Sequence, residues 1–225
     1  MKRGHVIGVE LNEKICQISF YDDMQREPHT MEVNADNYQI PLLIARKGNS
    51  WVCGKEAQKA AVVANSACAS DLLACAKSHE LVQIGDKMYE GIWLLSMFIQ
   101  LVLKRFKRIE AIAFTIPAMD VDIVQILKSI GQKLGVSREH VYVQDYKESF
   151  CYYMFYQPKE LWQYEAALFY CDRCKVKAYM LRKLKTGFGK GRDTFVTVDE
   201  VAGAELKELE EVYPVLNVDK AKVAD

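Results

Sequence analysis

The sequence predicts an α/β fold built on a mixed sheet with helices on both faces. Paired runs of strand-forming residues open the chain, and amphipathic helical segments then alternate with short apolar strands. Half of the 225 residues are hydrophobic, ample for a buried core. Antiparallel hairpins that feed into strand–helix–strand crossovers call for a sheet with both kinds of neighbour.

His5 to Leu11 and Ile15 to Tyr21 read as strands separated by the polar break Asn12-Glu13-Lys14, which makes a hairpin. A third strand is expected near Thr30 to Val33. A fourth, Ile40 to Ala45, is followed by the turn Lys47-Gly48-Asn49-Ser50 and the short return Trp51-Val52-Cys53. Lys55 to Ala69, rich in alanine and free of Gly and Pro, reads as a helix, as does Glu90 to Phe106, with apolar residues 92, 95, 98, 99, 102 and 103 on one face. Ile109 to Ile116 is almost continuously apolar, the pattern of a strand buried on both sides. Pro117 stops it, Asp120 is placed to cap the next helix, and Gly135 ends that helix after about Leu134. Val141 to Val143 follows as a short strand, Lys147 to Tyr156 as an aromatic-rich helix, Ala166 to Cys171 as a buried strand and Lys175 to Leu184 as a strand alternating charge with apolarity. The one candidate boundary is the charged, Gly-rich stretch from Thr186 to Asp193. Residues 1–184 are therefore expected to form one lobe, and 185–225 the start of a second lobe or a C-terminal extension.

Thirty basic side chains balance thirty acidic ones, which argues against the strong positive field of a dedicated nucleic-acid binder. The apolar run before Glu10 is too short for a signal peptide. Ile92 to Leu103, interrupted by Ser96 and Gln100, falls well short of the roughly 20 residues that span a bilayer. A cytoplasmic protein without a membrane span is expected. The seven cysteines are odd in number and lie mostly in apolar runs, where reduced cysteine acts as a small hydrophobe, so no disulfide framework is implied.

Four segments, over roughly residues 5 to 184, resemble the first lobe of the actin, sugar-kinase and seventy-kilodalton heat-shock chaperone superfamily. Val6-Ile7-Gly8-Val9-Glu10-Leu11-Asn12-Glu13-Lys14 sits where that family has its opening phosphate loop. Pro41 to Ala45, followed by Val52-Cys53-Gly54-Lys55-Glu56-Ala57, is similar to the chaperones' "Pro-strand, then Val-Gly-x-Glu-Ala" run. Ile109 to Ala118, a helix and then Leu134-Gly135-Val136 resembles their "strand-Val-Pro-Ala, helix, Ala-Gly-Leu" segment. Val141 to Tyr153 with Ala166 to Leu181 resembles their connecting helix and second phosphate loop. The resemblance implies a ribonuclease-H-like sheet and a site for ATP and magnesium.

The loops themselves depart from the pattern. In such loops glycine lets backbone N–H groups approach a phosphate, and a carboxylate helps hold hydrated magnesium. By resemblance Glu10 stands at the Asp position, Asn12 at the Gly position, and Glu13 and Lys14 at the small hydroxyl positions. Glu13 puts like charge beside the phosphates and Lys14 offsets part of it. The second loop is represented by Tyr170-Cys171-Asp172-Arg173-Cys174-Lys175, which has no glycine; either Asp172 or Tyr170 stands for the family's Asp. Phosphoryl transfer depends on positioning and charge neutralisation, so loss of both glycine loops predicts a degenerate ATPase with no resident cofactor. The expected role is a non-catalytic assembly or protein-interaction module, completed by a protein partner or by a second lobe of the same protein. The alternative is an ATP/Mg-binding domain using Glu10, Asn12, Glu13, Lys14 and Asp172.

Other constellations are weighed against plainer roles. Cys171-x-x-Cys174 has metal or redox spacing, but no second close Cys or His pair accompanies it. Thr186 to Arg192 lacks Walker spacing and joins two strands, as a hairpin loop does. Eight basic and no acidic residues lie between Arg173 and Arg192, ahead of a mainly acidic stretch, which reads as two complementary solvated strands or as a patch for an anionic partner. Phe150 to Tyr156 is aromatic all round, so part of that helix is expected to face another domain. His5, His29, His79 and His140 have no triad partner at recognisable spacing.

Overall fold

Strand β1 (His5–Leu11) alternates as a half-covered strand should, with Ile7, Val9 and Leu11 buried and Gly8 and Glu10 half-buried. It pairs antiparallel with β2 (Ile15–Asp22) across the residues 12–14 turn, as expected from the polar break. In this computed structural model the described residues are 4–22, 27–35, 37–63, 68–158, 165–171, 175–185 and 194–205. They belong to two compact units, Met1–Tyr146 and Lys147–Asp225.

In the first unit, β3 (Glu27–Thr30) pairs antiparallel with the far end of β2, a few residues before the expected Thr30 to Val33. The predicted strand Ile40 to Ala45 is two strands. β4 (Ile40–Pro41) joins β2, and β5 (Ile44–Lys47) joins β6 (Ser50–Cys53) in a separate small sheet. Pro41 has no N–H to continue a ladder, and the Leu42 and Leu43 N–H groups turn to the Lys14 and Pro41 carbonyls. The β5–β6 hairpin turns at Gly48, whose φ of 61° only glycine adopts freely.

Helix α1 (Gly54–Val63) ends well before Ala69, because β7 (Cys68–Ala69) is drawn into pairing with β5. The short helix α2 (Leu72–Lys77) and the hairpin of β8 (Leu81–Ile84) and β9 (Lys87–Glu90) were not expected from the sequence. Helix α3 (Gly91–Leu103) is buried along most of its length. Its Leu94, Leu95, Phe98 and Ile99 join Ile7, Leu11, Ile18, Ile112 and Phe114 in one core. A Cβ on Gly91 would lie 2.3 Å from the Cys75 carbonyl, so glycine is what lets α3 approach α2 this closely.

Strand β10 (Ile109–Ile116) lies parallel to β1, and β11 (Val141–Asp145) lies parallel to β10. Between them runs α4 (Val121–Lys133), capped as expected: Asp120 Oδ1 accepts from the N–H groups of Asp122 and Ile123 at 3.1 and 3.3 Å. The strand order is β11-β10-β1-β2-β3, a mixed sheet. β10 is not buried on both sides, however. Ile112, Phe114 and Ile116 are buried, whereas Ala111, Ala113 and Thr115 on the opposite face are half-buried. Small alanines, not bulky residues, make its sequence read as continuously apolar.

The second unit contains α5 (Tyr146–Tyr156, from Lys147 onward) and a sheet of β12 (Glu165–Cys171), β13 (Lys175–Lys185) and β14 (Thr194–Glu205), antiparallel throughout. The sequence reading changes lobe after residue 184. Compactness instead divides the chain after Tyr146, because β12 and β13 form a sheet of their own with β14. β13 pairs antiparallel with β14 along its whole length. Phe150 and Met154 of α5 pack with Leu181, while Tyr152, Tyr153, Phe155 and Tyr156 are exposed. Among the described residues no helix is long and apolar enough to cross a membrane.

Candidate functional site

The carboxyl ends of parallel strands are where an open α/β sheet presents its loops to ligands. Here β1, β10 and β11 end together, and their register aligns Gln17, Glu10, Thr115 and Gln144 in one row across four strands on the half-buried face. Gln144 Nε2 donates to Thr115 Oγ1 at 3.3 Å. The Tyr146 hydroxyl is buried near the Glu10 carboxyl. Burial holds the Glu10 carboxyl above its ordinary range, with Tyr146 opposing the shift. Behind the row Cys16 is fully buried, which raises its thiol strongly, and burial pushes Cys53 up to about 11. Neither is poised as a nucleophile.

The loop after β1 closes on itself. Asn12 Oδ1 accepts from the Lys14 and Ile15 N–H groups, both at 2.8 Å, and the Asn12 N–H donates to the Ile15 carbonyl at 3.0 Å. This is an Asx turn, the arrangement a short side-chain carbonyl favours at a chain reversal. Lys14 Nζ reaches Asp71 Oδ1 at 2.6 Å across an exposed surface. Asp71 also accepts from Ser70 Oγ at 2.8 Å and stands at φ 53°, a left-handed backbone that aspartate tolerates better than most residues. Lys14 and then Ser70 hold the Asp71 carboxyl below its ordinary range.

On the far side of α2, Lys77 Nζ pairs with Asp120 Oδ2 at 2.7 Å, so the residue that caps α4 is also neutralised. The end of the sheet is thus ringed by Asn12, Lys14, Asp71, Lys77 and Asp120, each hydrogen-bonded or ion-paired within the chain, beside the half-buried Glu10.

Of the residues proposed for nucleotide, the structure brings Glu10, Asn12, Glu13 and Lys14 together at this edge, with Glu13 exposed. Asp172 lies outside the described residues. Sequence reasoning missed Asp71, Lys77, Thr115, Gln144 and Tyr146. Thr115 and Gln144 were legible in principle, as the polar positions in phase with Glu10 near the ends of apolar strands. Asp71 and Lys77 belong to a helix the sequence did not announce. Among the described residues no group of three or more His, Cys, Asp or Glu is placed to hold a metal ion.

Residues 27–224 match a family described as of unknown function, the C-terminal part of DUF5716. The match begins after β2, so the Glu10 to Lys14 loop precedes it. No curated protein matches the chain.

Proposed function

The chain belongs to the DUF5716 C-terminal family, and from that premise we propose that it is a non-catalytic, actin-like or chaperone-like domain acting as an assembly or protein-interaction module. The fold half of this reading is supported by the strand order β11-β10-β1-β2-β3, with β1, β10 and β11 parallel and β1, β2 and β3 antiparallel, the pairing that a ribonuclease-H-like sheet calls for. The functional half rests above all on the Asx turn at Asn12. A phosphate in such a loop needs free N–H groups, and here the Lys14 and Ile15 N–H groups already donate to Asn12 Oδ1. Lys14 is paired with Asp71, and the Glu10 carboxyl is half-buried beside Tyr146. A nucleotide would have to displace each of these contacts. Exposed Tyr152, Tyr153, Phe155 and Tyr156 on α5 give the second unit an aromatic surface of the type that protein interfaces favour.

Calorimetric titration of Mg-ATP and Mg-ADP tests the reading. It expects no nucleotide binding that responds to Lys14→Ala or Glu10→Ala. Millimolar or tighter binding that either substitution abolishes overturns it, and makes the altered loop a working ATP/Mg site.

A further inference from the structure

The amino end of β10 and the carboxyl ends of α3 and α4 line an open cavity of about 330 Å³, at the low end of the size range of small-ligand sites. Lys104, Lys107 and Arg108 line it together with Gln100 and Phe106, and no acidic side chain does. The three cations come from one short run, Lys104 to Arg108, in a chain whose net charge is zero. Among the described residues none of the three makes an ion pair or side-chain hydrogen bond. Elsewhere in the first unit Lys14, Lys59 and Lys77 each hold a carboxylate.

One lining side chain, Phe106, is packed in place. The Phe106 ring packs at 5.3 Å on His5 and 5.6 Å on Phe20, and its N–H donates to the Leu103 carbonyl at 2.9 Å. The Arg108 carbonyl accepts from the His5 N–H at 2.9 Å, which ties the basic turn to β1.

A plainer role is available for part of this charge. α3 ends at Leu103 and α4 at Lys133, and each helix end presents about half a negative charge, which basic residues in the last turn complement. Two such ends offset about one of the three positive charges. Lys107 and Arg108 lie beyond α3, in the turn into β10; the Glu110 carboxylate beside them accepts from the Gly4 N–H at 3.1 Å and does not line the cavity, so positive charge is in excess in this concave site. We propose that this cavity binds a compact anion that carries two or more negative charges on phosphate, a phosphomonoester or a pyrophosphate. The Arg108 guanidinium would take two of its oxygens and Lys104 and Lys107 would supply point charges. This site is separate from the Glu10 to Lys14 edge and independent of the assembly reading.

The test is titration of sodium pyrophosphate, without magnesium, into the full chain, its Lys107→Gln/Arg108→Gln variant and its Lys14→Ala variant, with melting temperature as the check on folding. The altered side chains are exposed, so the fold should be retained. Expected is a dissociation constant of about 1 mM or tighter, weakened about tenfold or more by the double substitution and unchanged by Lys14→Ala. Absence of binding overturns the proposal, as does binding indifferent to Lys107 and Arg108. So does binding only to a single-stranded oligonucleotide or to phosphatidylserine vesicles, with none to pyrophosphate, since the run would then serve a macromolecular surface. Loss on Lys14→Ala alone would refute this site and the assembly reading together, whereas loss only on the double variant would leave the assembly reading untouched.

Discussion

Replacing Asn12 by alanine removes the acceptor that holds the Lys14 and Ile15 N–H groups. Each bond is 2.8 Å long, and a typical hydrogen bond contributes about 0.5–1.5 kcal/mol net. Lys14 is exposed, so water replaces its partner cheaply; Ile15 is half-buried and regains less. The expected loss is therefore about 1–2 kcal/mol, below the sum of two full bonds. For a domain of this size that lowers the melting temperature by roughly 2–8 °C. Amide hydrogen exchange gives the sharper reading: protection at Ile15 should fall in Asn12→Ala and persist in Asn12→Asp, which keeps an acceptor at the same place. Asn12→Gly restores the glycine of a phosphate loop but leaves Glu13 in place and Lys14 engaged with Asp71, so it should not confer Mg-ATP binding. If Asn12→Ala leaves both stability and Ile15 exchange unchanged, the loop's donors are not occupied by the side chain. A phosphate could then use them.

Three further outcomes follow from the same geometry. Glu10→Gln should raise the melting temperature at neutral pH. Burial raises the folded-state carboxyl above its ordinary 4.5, so its favourable contribution is complete in acid and is lost as pH rises through the folded value. A melting series across pH checks the sign, and an advantage for Gln that is greatest in acid refutes it. Lys14→Ala should cost no more than about 1 kcal/mol at neutral pH, because the pair with Asp71 is solvent-exposed. That cost should fade as pH drops through the folded value of Asp71, which lies below its ordinary 3.8; a cost undiminished in acid would mean that Lys14 acts through packing. Gly91→Ala should destabilise by about 1–3 kcal/mol in denaturant titrations despite alanine's better helix propensity, since the added methyl meets the backbone of Cys75 at 2.3 Å. An unchanged or stabilised variant would show that α2 and α3 do not approach this closely.

The parts of the fold written in local periodicity were legible. Continuous or alternating apolar runs gave β1, β2, α3, β10 and α4, and the Asp120 cap and Gly135 stop fell where their chemistry requires. What was misread depends on partners distant in sequence. Cys68-Ala69 continues an alanine-rich helical pattern, yet pairing with Ile44 and Ala45 makes it a strand. Ile40 to Ala45 looks like one strand until Pro41 withdraws a donor and the chain changes sheets. Leu72 to Lys77 is too short to show periodicity, and it places Asp71 beside Lys14 and Lys77 beside Asp120. The candidate edge was therefore found through Glu10 and Asn12, while the groups that neutralise it were not.

Those neutralising groups bear on where a ligand can act on this sheet. At the carboxyl end, binding an anion would mean breaking the Asx turn, the Lys14–Asp71 pair or the Lys77–Asp120 pair, so part of any new contact would be spent replacing an old one. At the amino end, Lys104, Lys107 and Arg108 repel one another across an open cavity, and an arriving anion relieves that repulsion without displacing a side-chain partner. The same anion thus meets a net cost at one end and a net gain at the other, although the first holds the residues that resemble a phosphate loop. Salt should separate the two ends as well: screening of uncompensated like charges stabilises the amino end, and screening of exposed ion pairs weakens the carboxyl end.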